Sequence, residues 1–213
     1  MSHQSLTFDK ISPAYQKAFA HLKECGQKSY GKFFNLFEED IPIIGRLIAW
    51  STGDQDAARQ KGIDLEKGIL LSGPVGCGKT SLMSLLKYFS PGNKHHVIKP
   101  CRDIAFEFHK SGFDVIPRYA GNSWLPGKPI GFVCFDDLGT EQELKYYGQD
   151  CNVMTEIILS RYERFTRNHC LTHFTTNLSA DEIEERYGPR VRSRLREMCN
   201  LIAFPASTPD KRK

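Results

Sequence analysis

Apolar positions in the first sixty residues recur every three or four residues, which is the spacing of amphipathic helices. A first helix is predicted to begin at Pro13, because proline suits the first helical position, and to end at Gly26. A second helix is predicted from about Pro42, and a third between a capping Asp54 and Gly62. This part of the chain is therefore expected to be a small helical region.

From Lys67 onward, short apolar runs alternate with helical segments. The predicted strands are residues 68–72, 96–98, 130–135, 171–175 and 201–204. The predicted helices cover residues 82–89, 102–110 and 154–165, then two more on either side of Gly188-Pro189, the first opened by a capping box of Ser179 and Glu182. Residues 112–129 are rich in Gly and Pro and are predicted to be a long loop. Such alternation is typical of a parallel sheet covered on both faces, so we predict a three-layer α/β fold.

Composition indicates an ordinary soluble protein. Hydrophobic residues make up 40% of the 213 positions, and no apolar run approaches the roughly 18 residues that cross a bilayer. Residues 1–10 are polar, so no secretory signal is predicted, and we expect a cytoplasmic protein without membrane contact. The seven cysteines are an odd number without a CxxC pair, which predicts reduced, mostly buried thiols. The net charge of +4 permits nucleic-acid binding without requiring it, and the basic residues 211–213 are expected to form a frayed, solvated tail.

The segment Gly73–Thr80 matches the phosphate-loop pattern G-x-x-x-x-G-K-[ST] at every fixed position. Such a loop wraps a phosphate with backbone N–H groups, and its glycines allow the sharp turns and close approach that this requires. A strand before it and an amphipathic helix after it are the context in which the motif binds nucleotide. The predicted ATP-binding residues are Gly73, Pro74, Val75, Gly76, Cys77, Gly78, Lys79, Thr80 and Ser81.

Two of these residues have predicted chemical roles. Lys79 is expected to reach the β- and γ-phosphates of ATP, and Thr80 is expected to ligate Mg²⁺ through its hydroxyl. The strand at 130–135 is followed by two adjacent carboxylates, Asp136 and Asp137, which are costly to bury without a partner. Asp136 is predicted to hold Mg²⁺, and Asp137 to orient or deprotonate the attacking water. Glu141 is a weaker candidate for the same role.

Residues 67–204 resemble the AAA+ ATPases of the DnaC-type helicase-loader and IstB-type transposition-helper group. The residues that carry the resemblance are GILLSGPVGCGKTSL at 68–82, FVCFDDLGTE at 132–141, TTNLS at 175–179 and RYGPRVRSRLREM at 186–198. The first two motifs indicate nucleotide binding in general, and the DDLG and RYG-x-RV-x-SRL stretches narrow the resemblance to this group. The apolar pattern predicts a small helical N-terminal region at residues 1–60, and the resemblance implies that residues 61–213 form a P-loop AAA+ ATPase domain.

The resemblance also implies further catalytic residues. Asn177 corresponds to the polar sensor at the end of the strand between the two nucleotide motifs, where it would help to place the lytic water. Arg194 resembles the arginine finger that reaches the γ-phosphate of a neighbouring subunit, which implies self-association of the ATP-bound protein. Arg190, four residues earlier, shares the same flank of the helix. Little chain follows the last predicted strand, so a core without a C-terminal helical lid is expected.

The segment 106–128 interleaves aromatic and basic residues, a composition that can stack on and track single-stranded DNA. Its members are Phe106, Phe108, Phe113, Arg118, Tyr119, Trp124 and Lys128. Core phenylalanines and a loop tryptophan explain the same residues without nucleic acid. Both interpretations remain open from the sequence.

The leading hypothesis is an Mg²⁺-dependent ATPase that acts in DNA replication as a helicase loader, with a replicative helicase as its partner. A transposition helper that recruits a transposase on DNA uses the same ATPase core and is the close alternative. A P-loop small-molecule kinase would need an acceptor pocket and a mobile lid, and the sequence shows a signature of neither. An adaptor that binds ATP without hydrolysing it is disfavoured by Asp137 and Asn177.

Overall fold

The computed structural model describes residues 11–90, 95–121, 132–142, 145–146 and 149–212. The chain divides into two compact units, one comprising residues 1–65 and 81–95 and the other residues 66–80 and 96–213. The division into domains at residues 60 and 61 stays a prediction. Among the described residues no helix is long and apolar enough to cross a membrane.

The first unit is helical. Its elements are α1 (Pro13–Tyr30), a 3₁₀ turn (Glu38–Asp40), α2 (Ile41–Thr52), α3 (Gln55–Gln60) and a 3₁₀ turn (Leu86–Tyr88). The side chains buried there include Phe19 and Leu22 of α1 together with Ile44, Leu47 and Trp50 of α2. The predicted cap is present, since the Asp54 side chain accepts a hydrogen bond from the Ala57 N–H at 3.0 Å.

The predicted end of the first helix at Gly26 is wrong. The helix α1 continues to Tyr30, and the chain turns at Gly31, which has a φ of 94°. A side chain at Gly26 would overlap the ring of Phe34. Gly26 is therefore used for close packing within the helix rather than for ending it.

The second unit contains an α/β arrangement. Its strands are β1 (Gly68–Ser72), β2 (Val97–Pro100), β3 (Val133–Leu138), β4 (Lys145–Tyr146), β5 (Gln149–Asp150), β6 (Thr172–Thr176) and β7 (Cys199–Ala203). The helix α4 (Lys79–Leu85) begins in this unit. The helices that follow are α5 (Cys101–Ser111), α6 (Val115–Ala120), α7 (Val153–Asn168) and α8 (Ala180–Met198). A 3₁₀ turn (Gly112–Asp114) joins α5 to α6.

Five of these strands form one parallel sheet in the order β2-β3-β6-β1-β7. The strands β4 and β5 pair separately as a short antiparallel ribbon. In the main sheet β6 lies between β1 and β3, so the strand before the glycine loop and the strand with the acid pair are second neighbours. Because all five strands run the same way, their carboxyl ends meet at one edge of the sheet.

Both faces of the main sheet are buried. On one face Leu70, Phe135 and Phe174 join a core with residues of α5, α6, α7 and α8. On the alternate positions Ile69, Leu71 and Cys134 are also fully buried. Apolar burial on both faces is what a parallel sheet requires, and it confirms the predicted three-layer α/β fold.

Two sequence predictions fail in this unit. Residues 115–120 form α6 rather than part of a long loop, because Val115, Tyr119 and Ala120 are buried against the core. Pro117 lies in the first turn of that helix, where an N–H would have no helical partner. The third strand extends beyond its predicted end through Asp136 and Asp137 to Leu138, while residues 130–131 lie outside the described residues.

The helix α8 has the two predicted features. Ser179 and Glu182 form the complete capping box at its start. At Gly188 the backbone leaves the helical conformation, with φ 84° and ψ 164°, and Pro189 follows immediately. The element is therefore two helical pieces joined at Gly188, as the sequence predicts.

Candidate nucleotide-binding site

Polar side chains from three segments meet at the carboxyl edge of the sheet. The loop after β1 leads into α4. Two backbone hydrogen bonds continue the pairing of β1 with its neighbouring strands up to this loop, from Gly73 N to Thr176 O at 3.2 Å and from Phe204 N to Ser72 O at 2.8 Å. The acids of β3 and the residues at the end of β6 lie at the same edge. The sheet order therefore determines which residues can act together.

The glycine loop has the backbone conformation that its sequence predicts. Gly76 and Gly78 have φ values of 79° and 100°, a region that other residues rarely adopt. The Val75 side chain is exposed, whereas Cys77 is buried with its Sγ 3.8 Å from the Lys79 ammonium. Ser81 lies in α4, one residue beyond Thr80.

The Lys79 side chain is buried at the centre of this loop. Its ammonium donates hydrogen bonds to the carbonyl oxygens of Gly73 at 2.9 Å and Pro74 at 2.8 Å. It also donates to the side-chain oxygen of Asn177 at 2.5 Å. A buried ammonium needs several acceptors, and here they come from the loop and from the end of β6.

The Asp136 carboxylate is buried and accepts hydrogen bonds from two hydroxyls. Thr80 Oγ1 lies 2.9 Å and 3.1 Å from its two oxygens, and Thr175 Oγ1 donates to it at 2.6 Å. The carboxylate thus joins the start of α4, the strand β3 and the strand β6. A hydroxyl and a carboxylate are the hard oxygen donors that Mg²⁺ prefers, so the residues present fit the predicted Mg²⁺ ion.

Asp137 has an unusual backbone conformation. Its φ is 55°, one of two positive values among the described non-glycine residues, and the pairing of β3 with β6 shifts register between Phe135 and Leu138. Irregularities of this kind re-aim side chains and are frequent beside active sites. The Asp137 N–H donates to Thr175 Oγ1 at 2.8 Å, so the hydroxyl of Thr175 supports both acids.

The pKa of the Asp137 carboxyl is raised above its ordinary value. Burial is the main cause, and the neighbouring Asp136 carboxylate adds to the rise, while the positive charges of Lys79, Arg212 and Arg102 oppose it. A raised pKa makes the carboxylate a stronger proton acceptor. Asp137 therefore has the electrostatic setting of a general base.

The contacts of Glu141 differ from those of the acid pair. It is buried, and its carboxylate accepts from the Gly139 N–H at 2.9 Å and from the Tyr187 hydroxyl. Arg186 contacts it as well. These contacts fix Glu141 as a link between the loop after β3 and α8, so we assign it a structural role.

The predicted arginines lie on the second piece of α8. Arg190 is exposed, and Arg194 is partly buried with its guanidinium 4.2 Å from the ring centre of Tyr162. Arg194 also donates to the Tyr162 hydroxyl at 3.1 Å and to Glu197 at 3.4 Å. Its contacts are thus with α7 and its own helix, and its assignment as an arginine finger stays a prediction.

The aromatic segment 106–128 separates into two classes. Phe108 and Tyr119 are core residues, whereas Phe106 and Phe113 are 48% and 45% exposed. Arg118 pairs with Glu107 at 3.3 Å. Trp124 and Lys128 lie outside the described residues.

Sequence analysis missed Thr175 entirely. A threonine in a strand is ordinarily explained by its branched shape. The signal in the sequence is a group of polar residues within one short strand of a sheet that is buried on both faces. These residues are Thr172, His173, Thr175 and Thr176, and all four are completely buried. Such residues need hydrogen-bond partners, which a neighbouring acid pair supplies.

Replacing Thr175 by Val is expected to destabilise the protein by about 1–3 kcal/mol, because the Asp137 N–H and one Asp136 acceptor lose a buried partner. Chemical unfolding of the full chain measures the change. Thr175→Ser keeps the hydroxyl and is the matched control, for which we expect a smaller loss. Equal stability of the Val variant and the unaltered protein would contradict the role of this hydroxyl.

Comparisons with known proteins agree with this architecture. No protein-family model matches the chain, and no curated protein matches it. The structure of a DnaC helicase loader aligns over 94% of this chain and 97% of its own length, with 17% identity and a TM-score of 0.45. A DNA replication initiation factor and AMPPCP-bound DnaA from Aquifex aeolicus each align over 80% of this chain and 47% of their own, with TM-scores of 0.52 and identities of 12% and 13%.

At these identities the similarity concerns the fold. This chain spans about half the length of the last two proteins. In this chain the fold consists of the five-stranded parallel sheet, with the glycine loop after β1 and the acid pair on β3. The chain therefore has a three-layer α/β fold with a phosphate loop after its first strand.

Proposed function

We propose that the protein binds ATP and Mg²⁺ and hydrolyses the terminal phosphate. The observation that supports this most directly is the meeting of the Lys79 ammonium, the Thr80 hydroxyl and the Asp136 carboxylate at the carboxyl edge of the sheet. A phosphate-binding cation and a pair of hard oxygen donors are the groups that an ATP–Mg²⁺ complex needs.

Each residue has a distinct role in the proposed reaction. Lys79 exchanges its bonds to the loop carbonyls for bonds to the β- and γ-phosphates, and the loop N–H groups hold the same phosphates. Thr80 and Asp136 would hold Mg²⁺, which would neutralise charge on the phosphates. Asp137, with its raised pKa, accepts the proton of the attacking water, and Asn177 orients that water.

The test is to measure binding and hydrolysis separately. Lys79→Ala is expected to lose ATP binding, because the loop loses the cation that contacts the phosphates. Asp137→Asn is expected to retain binding and to lose at least about 100-fold in turnover, the usual contribution of a general base. Calorimetry gives the affinities and phosphate release gives the rates.

The exposed Lys87 provides a matched control for the loss of one positive charge. Lys87→Ala should bind and hydrolyse ATP as the unaltered protein does. Undiminished ATP binding by Lys79→Ala, or undiminished turnover by Asp137→Asn, would exclude the corresponding role. Phosphate transfer to an added acceptor in place of release to water would indicate a kinase.

We further propose that Arg194 acts on a neighbouring copy of the chain. Its guanidinium lies over the ring of Tyr162, and its proposed role is to contact the γ-phosphate of an adjacent subunit. Catalysis that uses a residue of a neighbouring subunit depends on assembly. In other P-loop enzymes, loss of such an arginine lowers the rate by about 10³–10⁵-fold. Arg190, exposed and four residues earlier, is a second candidate on the same flank.

Arg194→Ala is expected to keep ATP affinity and to lose the rise of specific turnover with protein concentration. The exposed Arg196 lies on another flank of the same helix, so Arg196→Ala is the matched control and should retain that rise. Turnover assayed across a dilution series measures both. A normal concentration dependence in Arg194→Ala would rule out the finger assignment.

The process that we propose is loading of a replicative helicase onto DNA in the cytoplasm. The support is the sequence resemblance at the DDLG stretch and at residues 186–198. Single-stranded DNA is a proposed ligand, and the exposed Phe106 and Phe113 with the exposed Arg102 are the described residues suited to stacking on it. A transposition helper remains the alternative with the same core.

Purified hexameric replicative helicase is expected to bind the chain in the presence of ATP, because this chain resembles proteins that use ATP to order an assembly. Co-migration in gel filtration, with and without single-stranded DNA, provides the measurement. ATP-dependent binding to duplex DNA and a transposase, without helicase binding, would instead favour the transposition helper. Binding to none of these partners would contradict both processes.

A further inference from the structure

Residues 137–141, here called the acid segment, comprise the end of β3 and the turn that follows it. Asp137 and Gly139 both have positive φ values, of 55° and 105°. The Thr140 N–H and hydroxyl both donate to Asp137 O, at 3.1 Å and 2.8 Å. A non-glycine residue keeps a positive φ only where the surrounding structure holds it there. The groups that hold the acid segment therefore determine where the Asp137 carboxylate lies.

The Glu141 carboxylate holds this segment from inside the protein, where the residue is 4% exposed. One of its oxygens accepts the Gly139 N–H at 2.9 Å. The other accepts the Tyr187 hydroxyl and lies 3.7 Å from Nε of Arg186. A buried carboxylate is stable only when it is bonded, and here its partners come from the acid segment and from the first piece of α8. Glu141 therefore joins these two parts of the chain.

The residues on either side of Asn177 contact the acid segment as well. The Thr176 hydroxyl donates to Leu138 O at 2.6 Å and accepts from the Leu178 N–H at 3.0 Å. A Cβ atom at Gly139 would lie 2.6 Å from the Leu178 side chain, so these two residues are closely packed. The acid segment is thus fixed at its start to the end of β6, and at its end to α8.

We propose that Glu141 is a positioning residue for hydrolysis, which keeps Asp137 and Asn177 in their correct relative positions by holding the acid segment against α8. This inference rests on the proposed function, in which Asp137 accepts a proton from the attacking water and Asn177 orients that water. Displacement of a reacting group by about 1 Å can cost about 100-fold in rate. In this role Glu141 contacts neither ATP nor the water, so its loss slows the reaction without weakening binding.

The first measurement is amide hydrogen exchange of the full chain without nucleotide. Glu141→Ala removes the acceptor of the Gly139 N–H, so exchange within the acid segment is expected to quicken by at least about tenfold. Glu141→Gln keeps an acceptor oxygen for this N–H, and its amide can donate to the Tyr187 hydroxyl. Exchange in Glu141→Gln is expected to stay within about threefold of that in the unaltered protein.

The second measurement is ATP turnover and ATP affinity for the same variants. Glu141→Ala is expected to lose about 10- to 100-fold in kcat, with the affinity and the binding stoichiometry from calorimetry unchanged within about twofold. Glu141→Gln is expected to retain kcat within about threefold, since it keeps the contacts that position the segment. An unchanged stoichiometry shows that the loss does not come from unfolded molecules.

Tyr187→Phe is a milder second variant, because it keeps the buried ring and removes only the hydroxyl. It is expected to lower kcat by several-fold, and to add little to the loss in Glu141→Ala, because both changes break the same contact. The exposed Glu185 lies in the same piece of α8, so Glu185→Ala is the matched control for loss of a carboxylate. It should leave both exchange and kcat unchanged.

Three results would overturn the inference alone. Unchanged exchange in Glu141→Ala would mean that Glu141 does not hold the acid segment, and normal kcat despite faster exchange would mean that this contact does not serve hydrolysis. A loss of kcat in Glu141→Gln as large as that in Glu141→Ala would mean that the Glu141 carboxylate itself takes part in the chemistry. Absence of hydrolysis by the unaltered protein would instead refute the proposed function, and this inference with it.

Discussion

The candidate site depends on one buried carboxylate. Asp136 accepts hydrogen bonds from Thr80 at the start of α4 and from Thr175 in β6, so three separate segments of the chain are fixed by a single side chain. A buried anion is costly unless it is bonded, and these two hydroxyls supply the bonds. The Thr175 hydroxyl also accepts a hydrogen bond from the Asp137 N–H, and this contact orients the second acid. Because β6 is the neighbour of β3 in the sheet, a hydroxyl from β6 is placed to contact both acids of β3.

The features that local sequence predicts best are those set by few residues. The spacing of Gly73, Gly78 and Lys79 predicts the phosphate loop, since that backbone path admits few alternatives. The apolar run of β1 and the capping box at Ser179 follow from equally local rules, and both occur at the predicted positions. Asn177 was assigned by family resemblance, and the structure places its side chain on the Lys79 ammonium.

Features that depend on long-range packing were not predictable in the same way. The helix α6 forms in a segment with glycine and proline because its apolar residues are buried by other elements. Thr175 acquires its role from an acid nearly forty positions earlier, and the contact of Lys211 with Gly76 joins parts of the chain that are still further apart. Single-sequence reasoning sees neither pairing, because nothing in the local composition specifies the partner.

The interruption at Gly188 has a mechanical consequence. An unbroken helix transmits displacement as a stiff rod, so a shift at its first turn would appear at its last. In α8 the first piece follows directly from Asn177, and the second piece carries Arg194. Since the backbone at Gly188 leaves the helical path, the two pieces can tilt separately. A displacement at Asn177 would therefore not be carried to Arg194 by a rigid α8, and any coupling between the roles proposed for these two residues would depend on the packing of both helical pieces on the core.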